Sequence, residues 1–151
     1  MIQELKIKNF KSFRDEVELS FEPSGEDSYN SVVTMPDGVQ LLRFAVVLGA
    51  NASGKSNLLD AIEFLRTFWN NIPATNNDGT DVQPFLMRKD ALSFDTEFEM
   101  KFYVDGVRYW YQLMVNPEKV CREVLFVYLS NRPTKVFCRE DVGGISKLNF
   151  N

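Results

Sequence analysis

Eight consecutive residues carry the chemistry most readily read from this chain: Gly49-Ala50-Asn51-Ala52-Ser53-Gly54-Lys55-Ser56. Gly49, Gly54, Lys55 and Ser56 satisfy the spacing GxxxxGK[ST], which suits a loop that cradles phosphate. A loop entering a helix N-terminus aims backbone N–H groups inward, and the helix dipole adds positive potential there. Glycines permit the curvature and let the backbone approach phosphate oxygens. Lys55 supplies a point cation for β- and γ-phosphates. The Ser56 hydroxyl is a hard oxygen ligand suited to Mg2+. Asn51, Ala52 and Ser53 either shape the loop or touch phosphate themselves, and Asn51 is the better candidate for contact. The bland alternative for the whole stretch is a Gly-rich turn with a solvated lysine.

Such a loop needs a strand before it and a helix after it, and the sequence predicts both. Phe44-Ala45-Val46-Val47-Leu48 is apolar without alternation, which predicts a strand buried on both faces at the centre of an α/β sheet. Beyond the loop, Leu58, Ala61, Ile62, Leu65, Phe68 and Trp69 recur at helical spacing, with Asp60, Glu63, Thr67 and Asn70 opposite. That pattern predicts an amphipathic helix over 55–70.

The flanks read as strands. Leu5 and Ile7 alternate with Lys6 and Lys8, and Val17, Leu19 and Phe21 alternate with polar residues. Pro36-Asp37-Gly38 marks a hairpin turn between Val32-Val33 and residues 39–42. Residues 23–30 and 70–80 read as loops, the second with Asp78-Gly79 at its tip. From Phe94 onward an antiparallel meander is expected. Its first two strands meet at Asp105-Gly106, a strong two-residue turn signal, and Asn116-Pro117 turns the chain again. Residues 120–129 form the third strand and 136–139 a short fourth, with a loop at Gly143-Gly144. The fold class expected is therefore α/β: a mixed sheet, a P-loop helix and an antiparallel β meander.

Bulk composition narrows the function. With 151 residues, 44% hydrophobic and 25% charged, the chain has the composition of one globular domain. A net charge of -4 argues against a general basic field for nucleic acid. There is no His, which excludes Ser-His and Cys-His catalysis within these residues and zinc sites of the common Cys/His kind. Cys121 and Cys138 form no CxxC pair and read as thiols of a reducing compartment. No signal pattern and no run near ~18 apolar residues is present, so the expected location is the cytoplasm, with no membrane partner. Tyr109-Trp110-Tyr111 could stack bases, or simply pack. Lys6, Lys8, Lys11 and Arg14 could meet DNA phosphates, or form a solvated face. No catalytic residue is assigned.

Two stretches carry a family resemblance. Leu5-Lys6-Ile7-Lys8-Asn9-Phe10-Lys11-Ser12-Phe13, followed by Gly49 through Lys55-Ser56-Asn57-Leu58-Leu59-Asp60-Ala61-Ile62, resembles the ABC-type ATPase heads of SMC and RecF proteins. Pro84-Phe85-Leu86, the run FDTEFEMKFYVDGVRYWYQL and Arg122-Glu123-Val124-Leu125 resemble AAA-family ATPases related to RloC and abortive-infection proteins of bacteria. The resemblance implies a P-loop NTPase fold binding ATP and Mg2+. It implies that Asn51, Gly54, Lys55, Ser56 and Asn57 contact the nucleotide, and that Lys11 lies near it. It further implies heads glued by ATP into a head-to-head homodimer, with DNA or a nuclease as partner in DNA handling or phage defence.

Such heads also need an acidic pair ending an apolar strand and a signature loop. Residues 124–129 are followed by Ser130-Asn131 and no LSGG-like stretch occurs. A Q-loop glutamine is sought at Gln83 or Gln112. The expectation is an N-terminal lobe whose C-terminal counterpart carries the missing elements. The competing readings are a nucleotide-sensing interaction module without turnover and, less in keeping with the all-strand second half, a small P-loop kinase.

Overall fold

The computed structural model describes residues 1–25, 31–70 and 79–151. Among the described residues, nine strands, one α-helix and a single 3-10 turn at Ala91–Ser93 follow one another. The strands are β1 (Ile2–Lys8), β2 (Val17–Ser20), β3 (Val32–Thr34), β4 (Gln40–Leu42), β5 (Thr96–Val104), β6 (Val107–Val115), β7 (Val120–Tyr128), β8 (Thr134–Val142) and β9 (Ile145–Phe150). The helix, α1, spans Lys55–Asn70, as its periodicity predicts. Seven strands form one sheet in the order β2-β1-β5-β6-β7-β8-β9, with every neighbouring pair antiparallel. Strands β3 and β4 form a separate hairpin.

Alternation decides which sheet face is dry. Leu5 and Ile7 of β1, Phe98 and Met100 of β5, and Tyr111, Leu113 and Val115 of β6 point to the same side. There they meet Leu58, Ala61 and Leu65 of α1 in one buried cluster. Phe64 of α1 stacks on Phe98 with ring centroids 5.1 Å apart, and Phe10 packs edge-on against the same ring at 5.3 Å. The opposite face is charged. Lys8 pairs with Glu97 at 2.9 Å, Lys6 with Glu4 at 3.3 Å and Arg122 with Glu140 at 3.2 Å.

The turns follow backbone chemistry. Val104 pairs with Val107 across Asp105 and Gly106, whose φ angles are 49° and 80°. Two successive left-handed residues give the turn that matches strand twist, hence Asp-Gly. Gly143 and Gly144, at 64° and 82°, do the same between β8 and β9.

Three expectations change. Residues 44–48 form no strand: they are unpaired in the sheet and exposed, Phe44 by 68%, Val46 by 70% and Leu48 by 86%. A strand apolar on both faces requires neighbours on both sides, and no described strand pairs with these residues. The sheet is accordingly antiparallel throughout its described ladders, in place of the mixed sheet expected. The fourth meander strand is also longer, Thr134–Val142, and a fifth, β9, follows it. Residues 26–30 and 71–78, within the two expected loops and including Asp78 of the expected tip, lie outside the described residues. Among the described residues no helix is long and apolar enough to cross a membrane.

Candidate functional site: the 49–56 loop and its clamp

The loop at 49–54 runs directly into α1, whose first residue is Lys55. Ala52 and Gly54 adopt left-handed backbone, φ 61° and 94°. Ser53 N–H donates to the Ala50 carbonyl at 3.3 Å, closing the loop on itself. The Lys55 side chain folds back over it: Nζ donates to the Gly49 and Ala50 carbonyls at 2.8 and 2.6 Å and lies 3.5 Å from Ser53 Oγ. The ammonium therefore sits at the loop's rim, beside the N–H groups that the first turn of any helix leaves without intrahelical partners. Asn51, Ala52, Ser53 and Ser56 are exposed, while Gly54, Lys55 and Asn57 are half-buried. This gathers Gly49, Asn51, Ala52, Ser53, Gly54, Lys55, Ser56 and Asn57 in one continuous turn-and-helix unit.

Chemically the unit fits a phosphate chain. It offers a cation, a helix N-terminus with its partial positive charge and the exposed hydroxyl of Ser56. Gly49 also fits a close-packed loop, because a Cβ there would stand 2.9 Å from Ser53 Oγ.

Lys11 does not point at the loop. Its Nζ is 2.7 Å from Asp60 Oδ2, one turn further along α1. Its backbone N–H donates to the Gln83 carbonyl at 2.8 Å. Lys11, Asp60, Phe64, Thr67, Asp81 and Gln83 line a shallow cleft of about 230 Å³ on the flank of α1. Of the two glutamines considered, Gln83 therefore stands near the loop helix. Gln112 lies on the far face of the sheet, where Nε2 donates to Glu99 at 3.4 Å and Oε1 accepts from Arg122 at 3.3 Å. Near the cleft, Glu63 is held below the usual carboxylate range by hydrogen bonds from Arg66.

The residues that sequence reasoning missed are those that hold the loop. Ser12 Oγ accepts from Asn57 Nδ2 at 2.6 Å. A Cβ built on Gly54 would meet Phe13 Cε1 and Ser12 Oγ, each at 3.1 Å. The motif at 10–13 was visible, yet its contact with α1 is tertiary and leaves no local signal.

The other candidates have partners within the fold. Lys6, Lys8, Lys11 and Arg14 each face a carboxylate, from Glu4, Glu97, Asp60 and Asp15 respectively. Tyr109 stacks on Phe102 and Tyr111 meets Trp69 edge-on beneath α1, whereas Trp110 stacks on Phe126 across the sheet. They share no platform for bases. Cys121 and Cys138 are both free.

A search of curated proteins found no match. A family model does match, over residues 44–147, more than half of the chain, running from the apolar segment through the loop and α1 into β9. The chain belongs to that family, described as AAA domain, putative AbiEii toxin, Type IV TA system.

Proposed function

We propose that this chain binds ATP with Mg2+ through the 49–56 loop, as the N-terminal lobe of an SMC/RecF-like, RloC-related ATPase head. The observation that carries the reading is the Lys55 ammonium seated on the Gly49 and Ala50 carbonyls, at the rim of a loop that opens into a helix N-terminus. In this reading Lys55 and the loop amides hold the β- and γ-phosphates, Asn51 and Asn57 flank them, and Ser56 is a Mg2+ ligand. Lys11 lies alongside through its hold on Asp60. A complementary lobe would supply a strand beside residues 44–48, an acid to orient water and a signature loop. The complete protein would close as a head-to-head homodimer on ATP, acting on DNA or with a nuclease, in DNA handling or phage defence.

Phosphoryl transfer to water is mostly positioning and charge stabilisation. The sequence shows no acidic pair ending an apolar strand and no signature loop. Negligible steady-state phosphate release is expected from the chain alone, and the second reading, a nucleotide-sensing module without turnover, shares that expectation. Titration of a fluorescent ATP analogue with Mg2+ tests the binding step common to both. Lys55→Ala should weaken binding by about ten- to a hundred-fold, since a charge-assisted contact contributes roughly 1.5–3 kcal/mol. Equal affinities would refute the role of Lys55. Phosphate release at ordinary ATPase rates, lost in Lys55→Ala, would reveal a catalytic acid within these residues.

A further inference from the structure

Apart from Lys11, the turn at residues 10–13 has no part in the binding reading above, yet its backbone and side chains are tied on every side. Phe10 and Phe13 exchange backbone hydrogen bonds at 2.9 and 2.8 Å, leaving Lys11 and Ser12 at the tip. Asn9 and Lys11 both adopt left-handed φ, 54° and 48°, a conformation that costs a residue with a Cβ and persists where surroundings impose it. The surroundings here are explicit. Asn9 is buried, and its Nδ2 donates to the carbonyls of Phe94 and Asp95 at 2.8 and 3.2 Å. Thr96 Oγ1 donates back to the Asn9 carbonyl at 2.7 Å. The base of the turn is thus fastened to the start of β5.

The turn meets α1 at two points and the loop at a third. Ser12 Oγ accepts from Asn57, Lys11 pairs with Asp60, and Phe13 lies over Gly54. Asn57 and Asp60 are three residues apart and share one helix face. Gly54 is the last residue of the loop. The three contacts fix the axial position and rotation of the first helical turn relative to the sheet.

We infer that the 10–13 turn is a clamp that orients the phosphate-facing loop, with Ser12 and Asn57 as its positioning pair. This rests on the phosphate-binding reading of the loop. A small rotation of the first helical turn would swing the amides of residues 54–56 and the Ser56 hydroxyl away from a common focus. A cradle of several weak donors is sensitive to such a rotation, because all must converge at once.

The clamp acts on phosphate geometry alone, so the test compares two ligands, MgATP and magnesium tripolyphosphate, which lacks base and ribose. Affinities are measured by calorimetry for the unaltered chain, Ser12→Ala, Ser12→Thr, Asn57→Ala, the Ser12→Ala/Asn57→Ala double variant and Lys55→Ala, with melting temperatures taken without ligand. Ser12→Ala should weaken both ligands alike, by about three- to ten-fold, with little change in melting temperature. Ser12→Thr, which keeps the hydroxyl, should restore binding to within about two-fold. The double variant should bind no worse than Asn57→Ala, because one contact is lost either way. Loss of ATP binding with tripolyphosphate unaffected would overturn the inference, placing Ser12 against base or ribose. Unchanged affinity for both in Ser12→Ala, or losses that multiply in the double variant, would overturn it equally. Lys55→Ala separates the two levels: if it binds like the unaltered chain, the phosphate-binding reading itself has failed, and the clamp's function with it.

Discussion

Two apolar regions of this molecule behave in opposite ways. Strands β5 and β6 alternate in pattern, and the side chains that face α1 are covered by it, Phe98, Met100 and Leu113 each no more than 3% exposed. Residues 44–48 are more uniformly apolar, yet Phe44, Val46 and Leu48 are exposed by 68, 70 and 86%. The difference lies in what each pattern demands. A half-polar strand needs one covered face, and α1 covers it. A strand apolar on both faces needs neighbours on two sides and a layer above and below. Within one molecule, then, a helix-and-meander unit that covers its own apolar face stands beside an apolar segment left exposed. The 49–56 loop joins the two.

The sharpest way to break the comparison is through the covered unit. Leu65→Ala, at a fully buried position of α1, should cost about 2–5 kcal/mol of stability in chemical denaturation, as large-to-small core changes do. Asn9→Ala should cost about 2–3 kcal/mol, since it removes two hydrogen bonds and keeps a Cβ at left-handed φ. Asn9→Gly should recover about 1 kcal/mol of that by relieving the backbone, which separates strain from hydrogen bonding. In the exposed segment, Leu48→Ser should move stability by no more than about 0.5 kcal/mol, with less self-association on size exclusion. A Leu48→Ser cost as large as that of Leu65→Ala would erase the distinction between the regions.

A pH dependence is also expected in the meander. Burial, aided by its hydrogen bond to Asp95, pushes the Cys121 thiol up to about 11 from an ordinary 9.0. A thiol that resists ionising in the fold ionises more easily once unfolded. Stability is therefore intact below pH 9 and declines as pH rises from about 9 towards 11. Thiol labelling at Cys121 should be slow at neutral pH and accelerate over the same window. Cys138, also raised by burial, should label slowly too.

Much of this architecture is legible in the sequence, for reasons that differ by element. The limits of α1 follow from periodicity flanked by Gly54 and the Asn-rich stretch. The β5–β6 pairing follows from alternation around Asp105-Gly106, whose backbone requirement is local. Strand β9 was missed because all six of its residues are exposed, so no burial pattern marks them. Pairing with β8 through the Gly-Gly turn makes it a strand. For residues 44–48 the sequence names an environment and not its supplier. The loop residues at the candidate site were readable as a motif, but Ser12 and Phe13 were not, because their contact with Asn57 and Gly54 joins positions more than forty residues apart.

The most direct test of the central claim is backbone hydrogen exchange, followed residue by residue, with and without MgATP. Amides of residues 49–57 should exchange more slowly when nucleotide is present, and Lys55→Ala should abolish the slowing. The β5–β6 core should change little, because it is already closed. Slowing that survives in Lys55→Ala, or that maps to the Trp110 face of the sheet and leaves the loop untouched, would contradict the assignment of residues 49–56 as the phosphate cradle.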